Sequence, residues 1–210
     1  MRFAELDAVT IDGFGTLLEL ESPFERLDAA LEARDVHRSR AAVEEAFAAE
    51  AAYYKAHAHL APDEDSLRRL REDCARVFLD ELAAPLDPAE FAEPYIEALV
   101  FRPAPGAPEA IATLRSRGLR LAVASNWDCS LPGHLRDLGL LEHFDVVVTS
   151  AAAGAPKPEP RMLELALEKL GVAPDRALHV GDEEVDELAA AAAGTHFAPA
   201  PLAAAVATLE

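Results

Sequence analysis

Four apolar runs in this chain each end in a polar or charged cluster. Asp12 follows residues 8–11 and opens the stretch Asp12-Gly13-Phe14-Gly15-Thr16-Leu17. Ser125-Asn126 follow residues 121–124, and Lys157-Pro158 follow residues 146–149 after a short loop. Gly181-Asp182, with Asp186 one helical turn further on, follow residues 177–180. An aspartate can attack phosphorus, or an activated carbon, to form a covalent intermediate. Two carboxylates brought together repel, so Asp12 and Asp182 require a cation between them, and hard oxygen donors favour Mg²⁺. Mg²⁺ and Lys157 would offset the charge of a phosphoryl group in transit. Ser125, Asn126 and the backbone N–H groups of Gly13, Phe14 and Gly15 would bind its oxygens. The glycines allow that loop to come close to a substrate.

These clusters need a scaffold that delivers strand ends to one place. Residues 7–12 have the pattern of a strand, and from 103 onward strand and helix patterns alternate. That rhythm predicts a doubly wound, mainly parallel, Rossmann-like α/β sheet covered on both faces. Such sheets bind ligands at the carboxyl ends of their strands. Residues 22–100 have helical spacing throughout and no strand pattern. Ser22, Pro23 and Glu25 predict a capped helix start, and Pro62, Pro85 and Pro88 mark the breaks between four helices. The expected organisation is an α/β core of residues 1–16 and 103–210, with an all-helical cap of residues 17–102 inserted just past Asp12.

The 210 residues are 51% hydrophobic and 27% charged, with a formal charge of −19. That charge argues against nucleic acid or an anionic membrane as a partner and implies that a small anionic substrate needs a local positive centre. No run is long and apolar enough to span a bilayer, and the N-terminus lacks a signal peptide's apolar segment, so a cytoplasmic location is expected. The two cysteines, Cys74 and Cys129, are far apart and fit reduced thiols. Oligomeric state is left open.

Taken in order, Asp12-Gly-Phe-Gly-Thr-Leu17, Ser125-Asn126, Lys157-Pro158 and Gly181-Asp182-x-x-x-Asp186 resemble the motifs of the haloacid dehalogenase-like hydrolase superfamily, in a member whose helical cap lies between the first and second motifs. The resemblance covers nearly the whole chain. It implies that Asp12 is the nucleophile, that Ser125 and Lys157 hold the transferred group, and that Asp182 is a metal ligand. It also implies that Asp186 supports the metal or Lys157. The carbonyl of Phe14 would be a further Mg²⁺ ligand, since that role does not depend on the side chain.

Phe14 departs from the family's phosphatases, which carry a second aspartate there as general acid and base. Its loss typically costs about 10²–10⁴-fold, roughly 3–5 kcal/mol of barrier. The family's dehalogenases have an aromatic residue at this place. They work without metal, however, and lack the Gly-Asp pair seen at Gly181-Asp182. They also use a tyrosine shortly after the lysine, where this chain has none. The favoured expectation is an Mg²⁺-dependent phosphohydrolase acting through an aspartyl-phosphate, slow on alkyl phosphates and faster on acyl or aryl phosphates. A metal-independent 2-haloacid dehalogenase is the alternative. It would need an insert arginine for the substrate carboxylate, with Arg26, Arg34, Arg38 and Arg40 as candidates. A phospho-ligand-binding protein with little turnover is the third reading. Trp127 is expected to wall the pocket, and Cys129 to be inert.

Overall fold

The computed structural model describes residues 2–209. Five parallel strands form the central sheet: β1 (Ala8–Ile11), β4 (Arg120–Ser125), β5 (Val146–Thr149), β6 (Ala177–Gly181) and β7 (His196–Pro199). Their order is β5-β4-β1-β6-β7, which puts β1 at the centre. β1 is buried at every position, because both of its faces are covered. Val9 and Ile11 pack into one layer, beneath α5 (Ala107–Ser116), α6 (Leu131–Asp137) and α10 (Leu202–Ala207). Ala8 faces the other, beneath α8 (Arg161–Leu170) and α9 (Glu184–Ala193). A four-residue helix, α7 (Ser150–Ala153), follows β5. The architecture is the α/β, Rossmann-like one that the alternation of patterns predicts.

The predicted helical stretch forms α1 (Pro23–Glu32), α2 (Arg40–His57), α3 (Glu64–Glu81) and α4 (Pro88–Ala98). They share a separate apolar cluster centred on Leu27, Leu31, Phe78, Phe91 and Tyr95. Local chemistry explains most of their starts. Asp63 accepts from Ser66 N–H at 2.9 Å, and Asp87 accepts from Ala89 N–H at 2.8 Å. The capping box predicted at Ser22 does not form. Ser22 adopts a left-handed conformation (φ 48°) and makes no side-chain cap, so Pro23 alone presets that helix start.

No strand pattern marks either end of the insert in the sequence. β2 (Leu18–Leu20) and β3 (Phe101–Pro103) nevertheless pair antiparallel there, Leu18 opposite Pro103 and Leu20 opposite Phe101. Three residues are too few to show an alternating pattern, so only the long-range pairing reveals the ribbon. It holds the entry and exit of the helical insert side by side. Insert and sheet also meet where the Tyr54 hydroxyl donates to Asp128 Oδ2 at 2.8 Å and Cys129 N–H donates to the Ala61 carbonyl at 3.0 Å. Among the described residues, no helix is long and apolar enough to cross a membrane.

Candidate active site

Parallel register brings the central strand ends to one rim. Ile11 is level with Val123 on one side and Val180 on the other, so Asp12, Ser125 and the Gly181-Asp182 pair emerge together. Lys157 arrives from the loop between α7 and α8. Asn126 Oδ1 accepts from Lys157 N–H at 2.7 Å, and Asn126 Nδ2 donates to the Lys157 carbonyl at 3.3 Å. Both ends of that amide are thereby engaged. Asn126, expected against substrate, fixes the lysine's backbone in this structure.

The buried Lys157 ammonium donates to Asp12 Oδ1 at 2.5 Å, to Asp186 Oδ1 at 2.5 Å and to the Ala124 carbonyl at 3.0 Å. Three acceptors match an ammonium's three donors. Burial alone would push Lys157 down, but the adjacent charges of Asp12 and Asp186 outweigh it and leave its pKa raised. The site therefore keeps one fixed positive charge at neutral pH. Asp12 Oδ2 makes no hydrogen bond among the described residues, and neither does Ser125 Oγ.

Asp186 is fully engaged. Its Oδ1 takes Lys157 and lies 3.1 Å from His179 Nε2, while its Oδ2 accepts from Glu183 N–H at 3.1 Å. Burial raises this carboxyl, but the His179 hydrogen bond and the Lys157 charge outweigh that and bring it down to about 2. Of the two roles expected for Asp186, the geometry serves Lys157 most directly. His179 is fully buried on β6, and burial keeps its imidazole lowered and neutral. Its Nδ1 lies 2.9 Å from Thr10 Oγ1. A chain Thr10–His179–Asp186–Lys157–Asp12 thus runs beneath the rim. Neither Thr10 nor His179 is among the residues expected at the site from sequence; a histidine inside the apolar strand "ALHVG" is the available signal.

Asp182 is more exposed. Partial burial, followed by repulsion from Asp12 and Asp186, raises its carboxyl to about 6. Asp12, Asp182 and Asp186 each offer a carboxylate oxygen, and these lie within 4.8 Å of one another. The Phe14 carbonyl accepts no hydrogen bond among the described residues. Hard oxygen donors with excess negative charge fit a divalent cation of the Mg²⁺ kind. Capping does not explain Ser125-Asn126 or Asp182: the helix after the first begins at Leu131, and Glu183, not Asp182, occupies the N-cap of α9.

The glycines have steric reasons. A Cβ at Gly13 would lie 2.7 Å from Ser125 Oγ. One at Gly15, where φ is +84°, would lie 2.2 Å from Asp182 Oδ2, and one at Gly181 would lie 2.2 Å from Asp186 Cγ. Only bare backbone lets the acids come this close.

A small hollow of about 50 Å³ collects Asp12, Phe14, Ser125, Lys157, Asp182 and Lys55, the last from α2. Lys55 forms an ion pair with Glu183 across the gap between insert and sheet. A larger cavity of about 180 Å³ adjoins it, and Phe14, Lys55 and Asn126 line both. Trp127, as expected, is part of the wall of the larger cavity. None of the four insert arginines expected at the site reaches it. Arg26 and Arg40 pair with Glu21 and Glu25, while Arg34 and Arg38 donate to backbone carbonyls. Arg71 on α3 is the insert arginine that lines the larger cavity. Both cysteines are free thiols. Burial and Asp128 push Cys129 up, which leaves it unreactive.

The family model described as haloacid dehalogenase-like hydrolase matches residues 6–194. The human haloacid dehalogenase-like hydrolase domain-containing protein 3 is 54% identical over 77 residues, 37% of this chain and 31% of that protein. The chain thus spans about a third of the length of that curated relative. Phosphoglycolate phosphatase of Aquifex aeolicus is 38% identical over 122 residues, 52% of this chain and 56% of that protein. Among solved structures, the L-2-haloacid dehalogenase of Xanthobacter autotrophicus superposes with a TM-score of 0.67 at 26% identity, covering 92% of this chain and 77% of that one.

Proposed function

Since the chain belongs to the haloacid dehalogenase-like hydrolase family, we propose that it is an Mg²⁺-dependent phosphohydrolase working through an aspartyl-phosphate at Asp12. The observation that carries this reading is the cluster of Asp12, Asp182 and Asp186 around a fixed ammonium at the carboxyl end of a parallel sheet. A carbon–halogen cleavage needs no such crowd of acids. Phosphatase-named relatives agree with it.

In this reading Asp12 bonds to phosphorus through Oδ2 while the bond from phosphorus to the leaving oxygen breaks and that oxygen departs with the electron pair. Lys157 holds Asp12 in place through Oδ1. Ser125 Oγ and the N–H groups of the Gly13–Gly15 loop would receive the phosphoryl oxygens. Water then attacks the phosphorus, the bond from phosphorus to Asp12 Oδ2 breaks with its electron pair returning to the carboxylate, and the water's proton leaves with the released phosphate or to solvent. Mg²⁺, held by Asp12, Asp182 and the Phe14 carbonyl with Asp186 behind, would neutralise charge on the transferred group. Phe14 offers no proton, so the leaving group must be stable as an anion. Acyl and aryl phosphates are the expected substrates, and alkyl phosphates the slow ones. Residues 17–102 act as a cap over the core of 1–16 and 103–210, excluding water during the reaction. A cytoplasmic small-metabolite substrate belongs with this reading.

The test is Mg²⁺-stimulated phosphate release from acetyl phosphate, lost in Asp12→Asn. No turnover at high enzyme concentration would remove the proposal. Phe14 and Arg71 at the cavity favour one other reading, 2-haloacid dehalogenation, in which Arg71 would hold the substrate carboxylate in place of Arg26, Arg34, Arg38 or Arg40. Halide release from a 2-haloacid in the presence of EDTA distinguishes it.

A further inference from the structure

We propose that the larger cavity is a leaving-group pocket for a single aromatic ring, making aryl phosphates the substrate class; this rests on the phosphohydrolase reading. The cavity holds about 180 Å³ between insert and sheet. A dry cavity of about 150 Å³ lined by apolar side chains accepts a benzene ring. Most of its wall is apolar, from Leu20, Phe47, Leu70, Ile96 and Leu99 beside Phe14, while Lys55, Arg71 and Asp128 also border it. A polyol or sugar would leave the hydroxyls that face the apolar part of this wall unpaired, a cost of a kind that discriminates between ligands.

The aromatic groups are arranged for ring contact. Phe14 meets Phe101 edge-on with centroids 6.5 Å apart. Phe101 in turn lies 5.1 Å from Trp127 and 4.9 Å from His134. This series leads from the phosphoryl hollow into the cavity, because Phe14 lines both. The residue standing where an acid would be is therefore also the first wall that a departing group meets. Its two consequences agree. A phenolic oxygen leaves as the phenolate with the electron pair of its broken bond to phosphorus, taking no proton from the protein, and its ring has an apolar seat. Phe14 is 45% exposed although it borders a pocket, which leaves room for a partner ring.

Ala51, a small residue in the cavity wall and outside the proposed machinery, supplies the test. Ala51→Phe fills the space. It should raise KM for phenyl phosphate on the order of tenfold or more while leaving acetyl phosphate hydrolysis unchanged. Trp127 is the sole tryptophan, so the wild type also reports occupancy without turnover. Non-phosphorylated 4-nitrobenzyl alcohol should quench its fluorescence saturably, and the quenching should vanish in Ala51→Phe. No saturable quenching in the wild type overturns the inference whether or not the variant folds, as does equal quenching in both. Failure of the phosphohydrolase reading looks different: acetyl phosphate is not turned over although quenching persists.

Discussion

His179 Nε2 lies 3.1 Å from Asp186 Oδ1, the oxygen that also receives the Lys157 ammonium. A neutral imidazole in this place donates to the carboxylate and accepts from the Thr10 hydroxyl, 2.9 Å from its other nitrogen. The three groups are buried, so none can be replaced by water at low cost. His179→Leu leaves Asp186 and Thr10 each short of a partner and should cost about 1–3 kcal/mol of folding stability. Urea denaturation measures it. His179→Gln, which retains a donor, should recover part of the loss.

The close approach of backbone to acids makes a second prediction. Gly15→Ala and Gly181→Ala each drive a methyl to 2.2 Å from a site carboxyl group. Gly15 adds the penalty of a left-handed backbone (φ +84°). Both variants should disturb the acidic cluster before they disturb the sheet. Weaker Mg²⁺ binding by calorimetry, with little change in circular dichroism, is the expected result.

Asp182 sets the pH dependence. Its carboxyl is raised to about 6 from an ordinary value near 3.8. A raised acid holds its proton more tightly in the folded protein than in the unfolded chain. Its contribution in the metal-free protein is therefore favourable at low pH and lost as pH rises from about 4 to about 6. Asp182→Asn should then stabilise the metal-free protein at neutral pH. Discounted for the group's exposure, the gain is about 1 kcal/mol, or roughly 2–4 °C in Tm. Mg²⁺ binding requires the ionised form, so affinity should weaken as pH falls below about 6. Melting curves with and without Mg²⁺ across this range check both signs.

Phe14→Asp restores an acid beside the nucleophile. Turnover of alkyl phosphates should rise by about 10²-fold or more, and that of acyl phosphates should change little, because the latter need no proton to leave. Equal effects on both classes would show that protonation of the leaving group is not what Phe14 withholds.

The sequence by itself determined the chemistry-bearing residues and the order in which the fold presents them. Asp12, Ser125 and Asp182 stand at the ends of apolar runs, with Lys157 one loop beyond a fourth, and a short apolar run bounded by turn residues is a local property that survives without any tertiary information. The long insert helices were equally legible, because eighteen residues of α2 or α3 repeat a period several times. Tertiary structure alone decided who touches whom. That Asn126 clamps Lys157 across 31 residues, that His179 on β6 meets Asp186 on α9, and that Lys55 and Arg71 face the cavities while Arg26, Arg34, Arg38 and Arg40 turn elsewhere are contacts that no local pattern encodes. The three-residue ribbon of β2 and β3 was hidden for the same reason. A short strand has no pattern of its own and exists because its partner is there to accept its hydrogen bonds.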